Sequence, residues 1–427
     1  MFDIAVTCLV LTALLAYVNK RFVGLPTVIG VMTIALVLSF TLIGLDWIGI
    51  RHLHDYETTL MASVDFSTVL MQGMLSLLLF AGALHTDVAE LKAYWWQIGV
   101  LALVGTVISA LLIACALWYL LPLLGLGLPW PYCLMFGALI SPTDPIAVVG
   151  ILKSAGAPRS LEVVITSESL FNDGVGIVMF LLILGMLTAG AAPTAGDAAL
   201  LLAREGIGGI AFGALLGYVT YRLLKSIDSY QEEVLLTLAA VMGGYTLASR
   251  IGVSGPLAMV SAGLIIGHRG RSLAMSDKTR LHIDMFWELI DAILNSVLFV
   301  LIGMQVIVVA FPANVAVASA AAILITLSAR LISVGVPVVA FPQAFGLPNG
   351  SWQVLTWGGL RGGISVALAL ALPPGPESNV LLAMTYSIVV FSVLVQGMTI
   401  RAITRATADC TPENSSSHRV ARLPVRE

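Results

Sequence analysis

The sequence predicts an all-α polytopic membrane protein with about thirteen transmembrane helices, and three observations carry that prediction. Of the 427 residues, 59% are hydrophobic and only 11% are charged, against about 45–50% and about 25% in a soluble domain. Apolar runs of roughly the 20 residues that a spanning helix needs recur along the whole chain. Lys and Arg are distributed with a strong side bias once those runs are laid out as alternating spans. Such a chain cannot cover itself with a water-facing surface, which excludes a soluble enzyme, a nucleic-acid binder and a disordered protein. The net charge of −3 gives no global pull toward acidic or basic partners.

Punctuation of the apolar runs by Gly, Pro and charge places the spans at 2–19, 25–44, 64–85, 94–122, 130–153, 160–190, 199–224, 230–250, 253–268, 283–311, 313–342, 350–372 and 378–400. The first run is followed by Lys20 and Arg21 instead of being preceded by basic residues, so it reads as a retained helix and not a signal peptide. The ninth run is short, and the tenth is long enough to begin outside the hydrocarbon. With the C-terminal end in the cytoplasm, sixteen basic residues fall inside and only Arg51, Arg204 and Arg250 fall outside. That distribution predicts an outside N-terminus in a cell (inner or plasma) membrane. Cys8, Cys115, Cys133 and Cys410 show no metal-type spacing.

Two arginines, Arg330 and Arg361, fall within spans, as do Asp144, Glu168 and Asp173. Ionisable groups at that depth cost several kcal/mol and mark function. Glu288 and Asp291 read as interfacial, near the cytoplasmic start of the tenth span. Two basic and three acidic groups imply pairing plus a leftover acid, a pattern suited to ion or proton handling.

The fifth span is interrupted by Ser141-Pro142-Thr143-Asp144-Pro145. Two prolines three apart remove backbone donors and push the preceding residues out of the helical region. The helix is expected to break there into two halves, whose ends supply partial charges and free carbonyls for ions. The alternative is a packing kink with Asp144 capping the second half. In the twelfth span, Gly358-Gly359-Leu360-Arg361-Gly362-Gly363 predicts a second unwinding or a very close helix approach. Fifth and twelfth are seven spans apart, so corresponding helices run in opposite directions. This predicts two inverted-topology repeats, 1–190 and 229–405, joined by a connector at 191–228, with interrupted helices crossing at mid-membrane and a short disordered tail at 406–427.

The sixth span carries Ser167-Glu168-Ser169-Leu170-Phe171-Asn172-Asp173-Gly174. At about 100° per residue, Glu168, Asn172, Ser169 and Asp173 share an arc of about 140°. A hard monovalent cation takes oxygen ligands, and a proton takes a carboxylate whose affinity burial adjusts. Asp173, Ser169 and the Thr143 region together offer both.

These motifs resemble the NhaP-type branch of the monovalent cation:proton antiporter-1 family. The matching stretches are Phe80 to His85, Ser141 to Pro145, Ser167 to Gly174, Gly255 to Ala258 with Gly263 to Gly267, Asn295 to Gly303, Arg330, and Gly358 to Gly363. The resemblance implies Na+/H+ exchange by alternating access, with Li+ or K+ as further cations. It implies Asp173 as the ion- and proton-binding aspartate beside Asn172, with Thr143 and Ser169 as further ligands of Na+. It also implies a structural ion pair between Glu168 and Arg330, and a homodimer. Asp144 and Arg361 are expected to support the site. One departure is Ala81, where many relatives carry an acid next to the phenylalanine.

No cofactor is expected, since Na+ and H+ are the transported substrates. The partners are monovalent cations, protons and the lipid bilayer, with no nucleic acid. The rival functions are a K+-preferring K+/H+ antiporter and, from another class, a cation channel, although no repeated filter loop is present. No nucleophile with a base and no phosphate loop points to an enzyme. One carboxylate holds one proton or one cation, which predicts electroneutral 1:1 exchange.

Overall fold

The computed structural model describes residues 2–47, 73–189, 203–270, 276–307 and 311–408, together with 196, 200, 201 and 309. The described residues form helices and no strands. The chain starts with α1 (Phe2–Val18) and α2 (Thr27–Trp47), followed by α3 (Leu75–Leu84). Next come α4 (Thr106–Leu120), α5 (Trp130–Ile140), α6 (Ile146–Ala155) and the long α7 (Arg159–Ala189). Then α8 (Gly208–Leu224), α9 (Tyr230–Ile251), α10 (Gly255–Ile265) and α11 (Asp277–Met304) follow. The chain ends with α12 (Ala313–Arg330), α13 (Ser351–Trp357), α14 (Gly363–Leu370), α15 (Pro376–Phe391) and α16 (Gly397–Ala408).

Each of the thirteen apolar runs holds helix, but they are not thirteen long helices. Among the described residues, nine helical stretches are long and apolar enough to cross a bilayer, and three apolar helices are shorter. The fifth and twelfth runs are each divided, into α5 with α6 and α13 with α14. A backbone can end at membrane depth only where protein supplies its hydrogen-bond partners. The last six residues of α5, Met135 to Ile140, are all buried. Helix α16 continues through Ala408, past the expected boundary at 405. The start of the third run at 64–72, Arg51, Arg271, Cys410 and the expected disorder beyond 408 lie outside the described residues.

The outer surface is apolar, with Leu14, Phe22, Phe40, Leu123, Ile207 and Leu324 exposed; lipid is the solvent for such a surface. Inside, α2 packs along α11, α3 along α10, and α4 along α12. Trp287 of α11 is fully buried, packs its ring at a tilt against Phe80 of α3 with centroids 4.7 Å apart, and donates its indole N–H to Thr237 Oγ1 at 3.2 Å. These contacts tie α11 to α3 and α9.

Candidate functional site

The two breaks meet each other. The Asp144 backbone N–H donates to Leu360 O at 2.8 Å, joining the fifth-span break to the twelfth. In the other direction, Arg361 Nη1 donates to Ser141 O and, at 2.8 Å, to Pro142 O, the carbonyls at the end of α5. The last carbonyls of a helix lack intrahelical donors and carry partial negative charge. Arg361 therefore satisfies the end of α5. Its own backbone N–H donates to Ser392 Oγ at 2.8 Å. The end of α13 is served in the same way by Arg330, which donates to Leu355 O from Nε and Nη2, both at 3.3 Å. Glycines make this crossing possible. A methyl group at Gly359 would lie 2.6 Å from Arg330 Nε, and one at Gly362 would collide with the Asp144 side chain.

Around the crossing lies a buried polar knot. Arg330 and Glu168 form a two-pronged ion pair, Nη1 to Oε1 at 2.6 Å and Nη2 to Oε2 at 2.7 Å. Asn172 Nδ2 donates to Glu168 Oε1 at 3.2 Å and to Thr143 Oγ1 at 2.8 Å, while Asn172 Oδ1 accepts from the Thr143 N–H at 3.1 Å. The hydroxyls of Thr143 and Ser169 are 2.9 Å apart. Every member is at least nine-tenths buried. A planar guanidinium matched to a carboxylate, with remaining lone pairs occupied, is the arrangement in which a buried pair is tolerated.

Asp173 is placed differently. It is 7% exposed and lines a cavity of about 680 Å³. No hydrogen bond or ion pair to its carboxylate is made among the described residues. The cavity mouth carries Glu90, Lys153 and Arg159, with Arg159 Nη2 2.8 Å from Glu90 Oε2. Deeper walls are formed by Asp144, Ser167, Ala81 and Gly363. Asp144 is half-buried there and accepts from the Ile146 N–H at 2.9 Å, capping α6. The four polar residues that share one arc in the sequence thus divide. Glu168, Asn172 and Ser169 turn to the knot, and Asp173, at the far edge of the arc, turns to the cavity.

The tenth span contributes polar groups to the cavity. Glu288, Asp291 and Asn295 all line the cavity, with Asp291 half-buried and Asn295 fully buried. The sequence reading does not place Asp291 in a cavity. The signal that identifies it is spacing: 288, 291 and 295 recur at helical intervals and form one polar stripe down the cavity wall. The arrangement as a whole can hold a small cation or a proton at one carboxylate, reached from one side through a charged mouth.

Comparison with known proteins agrees with this architecture. The profile of the sodium/hydrogen exchanger transmembrane family matches residues 10–406. The Na(+)/H(+) antiporter NhaP of Pseudomonas aeruginosa is 50% identical over 410 residues, covering 95% of this chain and 96% of that protein. The Na(+)/H(+) antiporter NhaH of Halobacillus dabanensis is 33% identical over 87% of this chain and 90% of its own length. The solved sodium proton antiporter MjNhaP1 from Methanocaldococcus jannaschii superposes with a TM-score of 0.70 at 19% identity, covering 94% of this chain and 97% of that one, a likeness of fold.

Proposed function

The chain belongs to the transmembrane sodium/hydrogen exchanger family, and we infer from that membership that it is a secondary antiporter exchanging Na+ for H+ across a membrane. The observation that carries the site is the Asp173 carboxylate, buried at the cavity wall near two crossing broken helices and making no hydrogen bond or ion pair among the described residues. In this reading Asp173 alternates between a proton and a cation. Thr143 and Ser169 add hydroxyl oxygens, since a hydroxyl bonded to its neighbour retains lone pairs for a metal ion. Asn172 orients the Thr143 region, Glu168 with Arg330 fixes the frame, and Asp144 and Arg361 hold the crossing together.

Exchange is taken as one proton for one cation, because Asn172 does not titrate and Glu168 is held by Arg330. Two inverted repeats, 1–190 and 229–405 about a connector at 191–228, explain the packing. If the repeats correspond, the contact of α2 with α11 is the counterpart of α3 with α10, and α4 with α12 is its own counterpart. The cavity mouth holds Lys153 and Arg159, which the basic-residue bias assigns to the cytoplasm, so the conformation is open inward, with the N-terminus outside and the C-terminus inside. A homodimer in the cell membrane completes the reading. The test is proton efflux and uptake in proteoliposomes on addition of Na+, Li+ and K+ in turn. Saturable exchange with Na+ or Li+ supports the reading. Exchange with K+ alone would make the protein a K+/H+ antiporter, and flux without a counter-gradient would make it a channel.

A further inference from the structure

Breaking a membrane helix leaves backbone N–H and C=O groups that other parts of the protein must satisfy. At the twelfth-span break, two such groups are served by the last span. Ser392 and Gln396 bound a single π-turn between α15 and α16, a local widening found mostly where a helix does functional work. Ser392 is fully buried, and its Oγ accepts the Arg361 backbone N–H at 2.8 Å. Gln396 is 3% exposed, and its Nε2 donates to Trp357 O at 2.9 Å. Trp357 is the final residue of α13, where carbonyls lack intrahelical donors. Arg330 serves Leu355 O in that same last turn, so two spans share the end of one half-helix. Gln396 also lines a small cavity of about 10 Å³ together with Arg330, Gly359 and Arg361. The fifth-span break is held by the same device, since the Thr143 N–H donates to the side-chain oxygen of Asn172 on the sixth span.

The segment that the last span holds is tied in turn to the fifth-span break. Leu360 O accepts the Asp144 N–H, and the Arg361 guanidinium serves the carbonyls of Ser141 and Pro142. Thr143 lies between Pro142 and Asp144, so the backbone on both sides of it is anchored to Leu360 and Arg361. We propose that Ser392 and Gln396 are positioning residues for cation exchange, holding the twelfth-span break so that Leu360 and Arg361 keep Thr143 in place beside Ser169. The inference rests on the antiport reading and extends it to a span that supplies none of the cation's oxygens. Oxygen ligands bind a hard cation well only at fixed distances, and a smaller cation demands shorter and better-fixed ones. Loosening the brace therefore weakens binding of Li+ more than binding of Na+.

In proteoliposomes, Ser392→Ala and Gln396→Leu are each expected to raise the KM for Na+ about fivefold, the equivalent of one lost hydrogen bond, with the maximal rate nearly unchanged. The KM for Li+ should rise further, so that the ratio of the Li+ value to the Na+ value increases. Ser392→Thr keeps the accepting oxygen and should retain the wild-type ratio. A loss of packing alone would reduce the amount of folded protein and leave both KM values where they were. Independently of transport, amide hydrogen exchange of Ser392→Ala in detergent should be faster at peptides covering 141–145 and 358–363. Unchanged KM values for both cations in folded Ser392→Ala and Gln396→Leu overturn the positioning role, even where amide exchange at the breaks is faster. Unchanged amide exchange at both breaks overturns it as well. Wild-type protein that exchanges no cation for H+ would sink the antiport reading instead, and amide exchange would still decide whether the last span holds the break.

Discussion

Glu168 and Asp173 are buried carboxylates on one helix, five residues apart, and their surroundings are opposite. Both oxygens of Glu168 are engaged, by two nitrogens of Arg330 and by Asn172. Asp173 faces a cavity and makes no hydrogen bond or ion pair among the described residues. A charge locked by a fixed countercharge cannot release its partner at each turnover, so it serves as frame. A charge that faces water and has no protein partner can exchange one ligand for another, so it serves as site. Burial alone does not distinguish the two roles; the availability of a permanent partner does.

The largest test of this contrast is Asp173→Asn. It should leave a folded protein whose Na+-dependent dequenching of a pH-sensitive dye in vesicles falls to background, because an amide cannot alternate between charge states. Substantial exchange in a well-expressed variant would move the site to Asp144. On the frame side, Glu168→Gln and Arg330→Ala should each lower stability by roughly 3–5 kcal/mol, since each leaves a buried charge uncompensated. The double variant should lose less than the sum, read as Tm in detergent. Simple additivity would mean that the pair is not a unit.

A smaller effect is expected where frame and site touch. Thr143→Val removes a hydroxyl that bonds both Asn172 and Ser169, and about 1 kcal/mol of stability should go with it. If the hydroxyl also meets the cation, KM for Na+ rises several-fold, on the order expected for one neutral ligand. A stability loss with unchanged KM would assign Thr143 wholly to the frame. The smallest expected effect is zero. With membrane potential clamped by valinomycin and K+, Na+-driven exchange should proceed at the same rate at every imposed voltage. A voltage-dependent final proton gradient would bring a second titrating group into the cycle, with Asp144 and Asp291, both on the cavity wall, the residues to substitute next.

Much of this protein is determined by short-range features of the chain. Hydropathy selects membrane helices because a spanning backbone must satisfy itself locally. Pro142 and Pro145 interrupt the fifth span by removing backbone donors, and the glycines around Arg361 permit the interruption of the twelfth. The run from Ser167 to Gly174 places polar groups on one arc by helical geometry alone. Tertiary structure decided what that geometry leaves open. An arc of about 140° is wide enough to face two environments, and only the arrival of Thr143 and Arg330 from distant spans divides it into frame and site. The pairing of Arg361 with the carbonyls that end α5 depends on two breaks more than 200 residues apart meeting at one depth. The place of Asp291 on the cavity wall goes with the packing of α11 against α2 and α3. Burial of a side chain is a property of what packs against its helix face, and position along the chain does not specify it.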